Sequence, residues 1–255
     1  MLDNISSMRS SLNAQQTRLD IIANNIANIS ATGYKKSQVS FGDAFYKTMY
    51  GPGMPVSQSV RCGAGVMVSG TEKDFSEGTR TSTGRELDLA IAGEGFFGVL
   101  LPDGSMGYTR AGNFYLDGEQ YLVNAQGARL YTDMMLPEEY SAISISSSGE
   151  ITAQTEDGTA SVVGSIPLFY VPNPAGLKAL GDGLYQETDA SGAVSMGTAG
   201  SDGLGSIKQG YLEQSNVDLG EEMVNMIAAQ RSFQFSAQAM RTLDEMWGLA
   251  NGLQR

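Results

Sequence analysis

Leu19-Asp20-Ile21-Ile22-Ala23-Asn24-Asn25-Ile26-Ala27-Asn28-Ile29-Ser30-Ala31-Thr32-Gly33-Tyr34-Lys35-Lys36 is the stretch on which the reading of this 255-residue chain turns. Leu19, Ile22, Ile26 and Ile29 recur at spacings of three and four, and the row runs back through Leu12, Met8 and Ile5, with Gln15 in the one polar slot. Such alternation puts all these side chains on one face of a helix, so residues 3–30 read as a single amphipathic helix with a heptad seam. Ala31-Thr32-Gly33 ends it, since glycine takes the left-handed conformation of a helix exit without steric cost.

The opposite end mirrors this pattern. Ser215 and Asp218 are N-cap candidates, and Asp218 with Glu221 fits a capping box. Leu219, Met223, Met226, Ile227, Phe233, Ala237, Met240, Leu243 and Trp247 then supply an apolar face, so residues 217–253 read as a second helix. Val224, Phe235 and Met246 fall off that face. One seam packed against the other covers a single stripe of each helix, and a helix of this kind is marginal without neighbours on several sides. From patterning alone, an ordinary helical layer packed on the rest of the protein accounts for the two ends equally well.

Between the ends the sequence is of β type. Asp103-Gly104, Asp117-Gly118, Ser148-Gly149 and Asp157-Gly158 are turn pairs, and they separate the short runs Glu86–Ala92, Phe96–Leu101, Gln120–Val123, Ala142–Ser146, Ser161–Val163 and Ile166–Val171. Residues 113–123 form the clearest hairpin. No helical pattern intervenes, which argues against parallel βαβ units. The expected organisation is α+β: an N-terminal helix (1–33), a connector (34–84), a central all-β domain (85–189), a return connector (190–213) and a C-terminal helix (214–255), with the two helices forming a coiled-coil layer.

Composition narrows the function. Histidine is absent and Cys62 is the only cysteine, so neither a Ser–His nor a Cys–His pair can be built and no internal disulfide is possible. The formal net charge is −12, without any run of Lys or Arg, which disfavours nucleic acid and anionic membranes as partners. No stretch approaches the length of a membrane span, and the N-terminus lacks the basic-then-apolar layout of a secretory signal. Gly93-Glu94-Gly95-Phe96-Phe97-Gly98 fits Gly-x-Gly-x-x-Gly, but strand and turn follow it, leaving no helix N-terminus for a pyrophosphate. The triplets at Asn4 and Asn28 lie on a helix rather than an exposed loop. Cys62 reads as a small buried residue, and Glu138-Glu139 and Glu221-Glu222 as turn and helix-start charges. No cofactor, metal or small-molecule substrate is expected.

The motifs themselves then discriminate. Leu19–Lys36 resembles the N-terminal motif of bacterial flagellar rod and hook proteins, and Gly210–Asp218 followed by Glu221–Ile227 resembles their C-terminal motif. Leu87-Asp88-Leu89-Ala90-Ile91, Gly95-Phe96-Phe97, Leu101-Pro102-Asp103-Gly104, Tyr108–Phe114 and Asn173-Pro174-Ala175-Gly176-Leu177 are similar to the family's β-domain pattern. The resemblance covers nearly the whole chain in the expected order. Hook subunits carry an added outer domain for which this chain has no room. The length and the Tyr211–Asp218 motif resemble the distal rod type, with the proximal rod type as the alternative.

The resemblance implies a non-enzymatic subunit of the basal-body rod, a hollow helical tube of identical copies that carries torque from motor to hook. It implies passage through the flagellar export apparatus without a cleaved signal peptide and a place in the envelope outside the cytoplasmic membrane. Implied partners are further copies, neighbouring rod and hook proteins, and ring proteins around the rod. The expected assembly residues are Leu12, Leu19, Ile22 and Ile26, packing against Met223, Ile227, Phe233 and Met240 within or between subunits, with Trp247 in the same seam. Asn24, Asn25 and Asn28 are expected to fix register by bonding across subunits; a solvated face near a fraying helix end is the alternative. Two readings from other classes stay open: an envelope hydrolase working through carboxylates alone, and a self-contained binding module whose helices clamp the β domain.

Overall fold

The computed structural model describes residues 2–44, 46–49, 60–63, 65–132, 140–155, 160–201 and 203–252. The Asp157-Gly158 turn, the Glu138-Glu139 pair and residues 50–59 of the first connector lie outside the described residues, as do the side chains of Ile5, Cys62 and Trp247. Within the described residues the chain is α+β, with a helix at each end, α1 (Leu2–Ala27) and α2 (Leu219–Gly252), and a mostly β region between. Among them no helix is long and apolar enough to cross a membrane.

Helix α1 stops two residues before Ile29, the last of its apolar row. Residues 28–33 are turns, with the Ala31 amide donating to the Asn28 carbonyl (3.1 Å), and Gly33 sits at φ +66°. A side chain at Gly33 would place its Cβ 2.5 Å from the Ala111 backbone nitrogen, so close approach as well as conformation requires glycine here. Helix α2 begins as its cap residue dictates: the Asp218 carboxylate accepts the Glu221 amide (2.9 Å), satisfying one of the orphan donors of the first turn.

The chain divides into two compact units. The first comprises Met1–Ala27, Ser37–Glu72 and Asp218–Arg255. In it α1 lies against α2, Ser37–Asp43 pairs with Val66–Lys73, and Tyr46–Met49 pairs antiparallel with Val60–Gly63. Ser10 joins the helix to this ribbon, donating to the Ser7 carbonyl (2.7 Å) while accepting the Val66 amide (3.4 Å).

The second unit comprises Asn28–Lys36 and Lys73–Val217. Its largest sheet is organised by Phe96–Leu100, which pairs antiparallel with Met106–Thr109, Arg129–Leu130 and Leu168–Tyr170. Successive residues of a strand face opposite ways, and here both faces are covered. Phe97 and Val99 enter one apolar cluster with Leu89, Ile91, Phe114, Ile151 and Leu168, where the Phe97 and Phe114 rings meet edge to face at 5.4 Å. Phe96 enters a second cluster with Tyr108, Phe169, Val171 and Tyr185. Gly98 belongs to this second face, and a Cβ there would lie 2.3 Å from the Phe169 ring. The last glycine of the dinucleotide-like pattern therefore makes room for an aromatic ring, and the strand ends in a turn. That turn is fixed locally: the Asp103 carboxylate accepts both the amide (2.9 Å) and the hydroxyl (2.7 Å) of Ser105, while the Gly104 amide donates to the Leu101 carbonyl (2.9 Å).

The hairpin at 113–123 forms with Leu122 opposite Leu116 and Val123 opposite Tyr115. Asp117 closes it, its carboxylate accepting the amides of Glu119 (2.9 Å) and Tyr121 (2.8 Å). Ala142–Ile145, Glu150–Gln154 and Ala160–Ser165 form a separate three-stranded sheet. The stretches read as extended connections carry strands of their own. Besides the ribbon of the first unit, Arg80–Ser82 pairs with Tyr211–Glu213, and Leu89–Ala92 pairs with Ser206–Gln209. The partners of these last two pairs are more than 100 residues apart, so no turn motif announces the pairing.

Tyr185 stacks edge to face on Phe75 (5.1 Å) and lies 6.3 Å from Phe96. Burial, reinforced by Tyr34 and Glu213, pushes its hydroxyl well above the ordinary 10.0, and burial moves Tyr108 the same way. A phenol held protonated by folding contributes stability that is complete below pH 10 and is lost as the pH climbs beyond it. Tyr185→Phe should therefore shift the alkaline unfolding limb to higher pH and leave neutral stability within about 1 kcal/mol; an unmoved limb in a pH series of thermal melts would contradict the assignment.

Candidate functional site

In α1 the row read from the sequence points inward. Ile22 and Ala14 are buried, Met8, Leu12, Leu19 and Ile26 are half-buried, and Arg9, Asn13, Gln16, Asp20 and Asn24 lie on the exposed side. In α2 the inward row is Glu222, Met226, Ala229, Phe233, Ser236, Met240 and Leu243, again alternating four and three, with Glu222 and Ala229 fully buried. Phe233 and Met240 are half-buried on this row. Met223 and Ile227 are off it, 53% and 57% exposed.

Ile227 borders a second apolar surface. Val224 (66%), Phe235 (69%) and Met246 (63%) are exposed, together with Leu249 and Leu219. Steps of eleven residues separate Val224, Phe235 and Met246, which is three turns of helix within about 20°. At about 100° per residue this line lies on the side of α2 opposite Glu222, Ala229 and Phe233. Helix α2 is therefore apolar on opposite sides, one against α1 and one facing solvent. The eleven-residue spacing was the sequence signal for the second stripe; the mixed spacings of three and four merged parts of both stripes into one face.

The three asparagines have different surroundings. Asn24 is exposed and Asn28 is half-buried in the turn after α1. Asn25 is buried, and its amide grips one backbone unit: Nδ2 donates to the Ser37 carbonyl (2.9 Å) and Oδ1 accepts the Ser37 amide (2.9 Å). Nδ2 also lies 3.4 Å from the carboxylate of Glu222, itself only 1% exposed. The pair Glu221-Glu222 is thus divided, Glu221 at the exposed helix start and Glu222 inside the helix pair.

A second buried polar group lies in the β-rich unit. Lys35 (0% exposed) donates from Nζ to Glu213 Oε1 (2.6 Å) and to the Ser76 carbonyl (2.6 Å). Glu213 Oε1 also accepts the Gly78 amide (3.0 Å), and its Oε2 lies 3.5 Å from the Arg110 guanidinium. Arg110 donates to the Gly93 carbonyl (2.9 Å) and lies over the Phe96 ring at 5.2 Å. Burial lowers the pKa of Lys35 and of Arg110, and the Glu213 carboxylate opposes it in both. No periodicity pointed to these charges, because isolated Lys, Arg and Glu read as surface residues.

Family comparisons agree with this layout. The chain matches the model described as flagella basal body rod protein over residues 5–35, that of the flagellar hook protein FlgE/F/G D1 domain over 90–153, and that of the flagellar basal body rod FlgEFG protein C-terminal over 208–253. The flagellar basal-body rod protein FlgG of Borreliella burgdorferi is 39% identical over 96% of this chain and 96% of its own length. The protein of the same name from Bacillus subtilis is 38% identical over 96% of this chain and 97% of its own. The flagellar hook protein FlgE of Escherichia coli is 26% identical over 93% of this chain and 96% of its own. On this end-to-end similarity the chain belongs to the flagellar basal-body rod and hook protein family, where it stands with the distal rod proteins, FlgG.

Proposed function

We propose that the chain is a structural subunit of the flagellar basal-body rod that polymerises with copies of itself, through α1 and α2, into a hollow axle carrying torque from motor to hook. It is a structural protein and not an enzyme; nothing in the family supports the carboxylate hydrolase. The observation that carries the polymer reading is the second apolar stripe of α2. Val224, Ile227, Phe235, Met246 and Leu249 stay exposed although the opposite side of the same helix is packed against α1. A stripe of this size on a lone subunit marks a surface for another protein.

The subunit contacts are heterologous, joining different surfaces of successive copies, and such contacts extend into a helical array rather than closing a small ring. α1 and α2 form the coiled-coil layer that lines the channel. They travel unfolded through the export apparatus and become helical when neighbours supply the missing contacts. The axle stands in the envelope outside the cytoplasmic membrane, between other rod proteins and the hook, with ring proteins around it. Within the helix pair, Asn25 and Glu222 set the register, as a polar residue in an otherwise apolar seam does.

Concentrated protein should form straight tubes visible by electron microscopy. Phe235→Asp or Ile26→Asp should abolish tubes and motility while the melting temperature of the β-rich unit is unchanged; a motile strain carrying either substitution would sink the reading. Asn25→Ala leaves the Ser37 amide and carbonyl without their partner, at about 1–3 kcal/mol. Its tubes should dissociate at lower temperature than those of the parent, and equal dissociation temperatures would refute the register role.

A further inference from the structure

We propose that Lys35, Glu213 and Arg110 form a latch that holds the roots of both terminal helices together in the folded β-rich unit, so that α1 and α2 grow from fixed, adjacent origins on assembly. The inference rests on the reading of α1 and α2 as segments that fold on assembly.

Three segments far apart in sequence meet at this cluster. The stretch leaving α1 supplies Lys35, the stretch 74–78 supplies the Ser76 carbonyl and the Gly78 amide, and the stretch leading to α2 supplies Glu213. Backbone and amide bonds repeat the connection around it. The Gly33 amide donates to the Glu213 carbonyl (2.8 Å) and the Asp74 amide to the Lys36 carbonyl (2.9 Å). Asn216 accepts the Lys36 amide (2.8 Å) and donates to the Asp74 carbonyl (2.9 Å), so its one side chain bonds both other segments. The contacts leave no spare room: a Cβ on Gly78 would overlap the Gln214 carbonyl oxygen, at 1.9 Å. Each helix is thus anchored by a short leash, Gly33 lying six positions beyond Ala27 and Glu213 six before Leu219.

The charges make the arrangement all-or-none. A carboxylate at 1% exposure is tolerable only with its cations and amide in place, and Lys35 at 0% has no water to fall back on. Removing one member leaves the others buried and uncompensated. With the latch shut, the helix ends are joined through about a dozen residues; with it open, α1 trails from the strand Arg80–Ser82 by about fifty. Because closure probability falls with roughly the three-halves power of loop length, the latch raises the encounter of the two helix ends on the order of tenfold.

The test uses full-length monomer and two variants, Lys35→Met and the milder Asn216→Ala. Brief protease treatment followed by mass measurement of the surviving fragment reads the latch directly. The parent should lose α1 and α2 yet keep a fragment beginning within 28–36 and ending within 213–217. Both variants should give fragments that begin near Lys73, and tube elongation should slow on the order of tenfold at equal concentration. Should Lys35→Met fail to fold, Asn216→Ala decides. A parent fragment beginning beyond Lys36, or variants with parental fragment ends and elongation rates, would overturn the latch alone. Protease-resistant α1 and α2 in the parent monomer would overturn the reading of folding on assembly, and the latch's role with it.

Discussion

A helix with apolar side chains on opposite sides cannot hide both against a single neighbour, and α2 is such a helix. Its inward row, from Glu222 through Phe233 to Leu243, is occupied by contact with α1. Its outward row leaves Phe235 and Met246 more than 60% exposed. Helix α1 differs: its outward side is Arg9, Asn13, Gln16, Asp20 and Asn24. The asymmetry gives each subunit one unsatisfied surface on α2 rather than a symmetric pair.

The β-rich unit meets the opposite demand, satisfying its own surfaces internally. Phe96–Leu100 is paired with three strands and packed on both faces, so its position is fixed by hydrogen bonds along the sheet and by aromatic rings above and below. Buried ions beside it add definition more than stability. Desolvating Lys35, Glu213 and Arg110 offsets much of their mutual attraction, but few other arrangements of the three segments could place all of them against partners.

Local features were the legible part of the sequence. The seam of α1, the Asp218 cap and the hairpin closed by Asp117 each depend on residues a few positions apart, and each stands in the structure near where it was read. What escaped depends on distant partners. Helix α1 ends at Ala27 although Ile29 continues the periodicity, because residues 28–36 are held by bonds to 74 and to 213–216. Arg80–Ser82 looks like connector until its partner, some 130 residues away, is in place. Lys35 and Glu213 carry no pattern that distinguishes a buried charge from a solvated one. At the site, the structure puts Phe233 and Met240 on the row toward α1, with Met223 on the flank of α2 and Ile227 toward its exposed side. Asn24, Asn25 and Asn28 were read together as bonding across subunits, and the structure turns the amide of Asn25 toward Ser37 of its own chain.

The turn after Phe96–Leu100 has a different kind of consequence. Pro102, Asp103 and Gly104 are exposed, the bonds that close the turn run only between Leu101 and Ser105, and no other atoms lie within 4 Å of where a Gly104 side chain would begin. Extra sequence entering there would leave the flanking strands paired and the apolar clusters closed. A peptide epitope placed between Asp103 and Gly104 would give a handle for following single subunits while leaving the centre of the fold undisturbed.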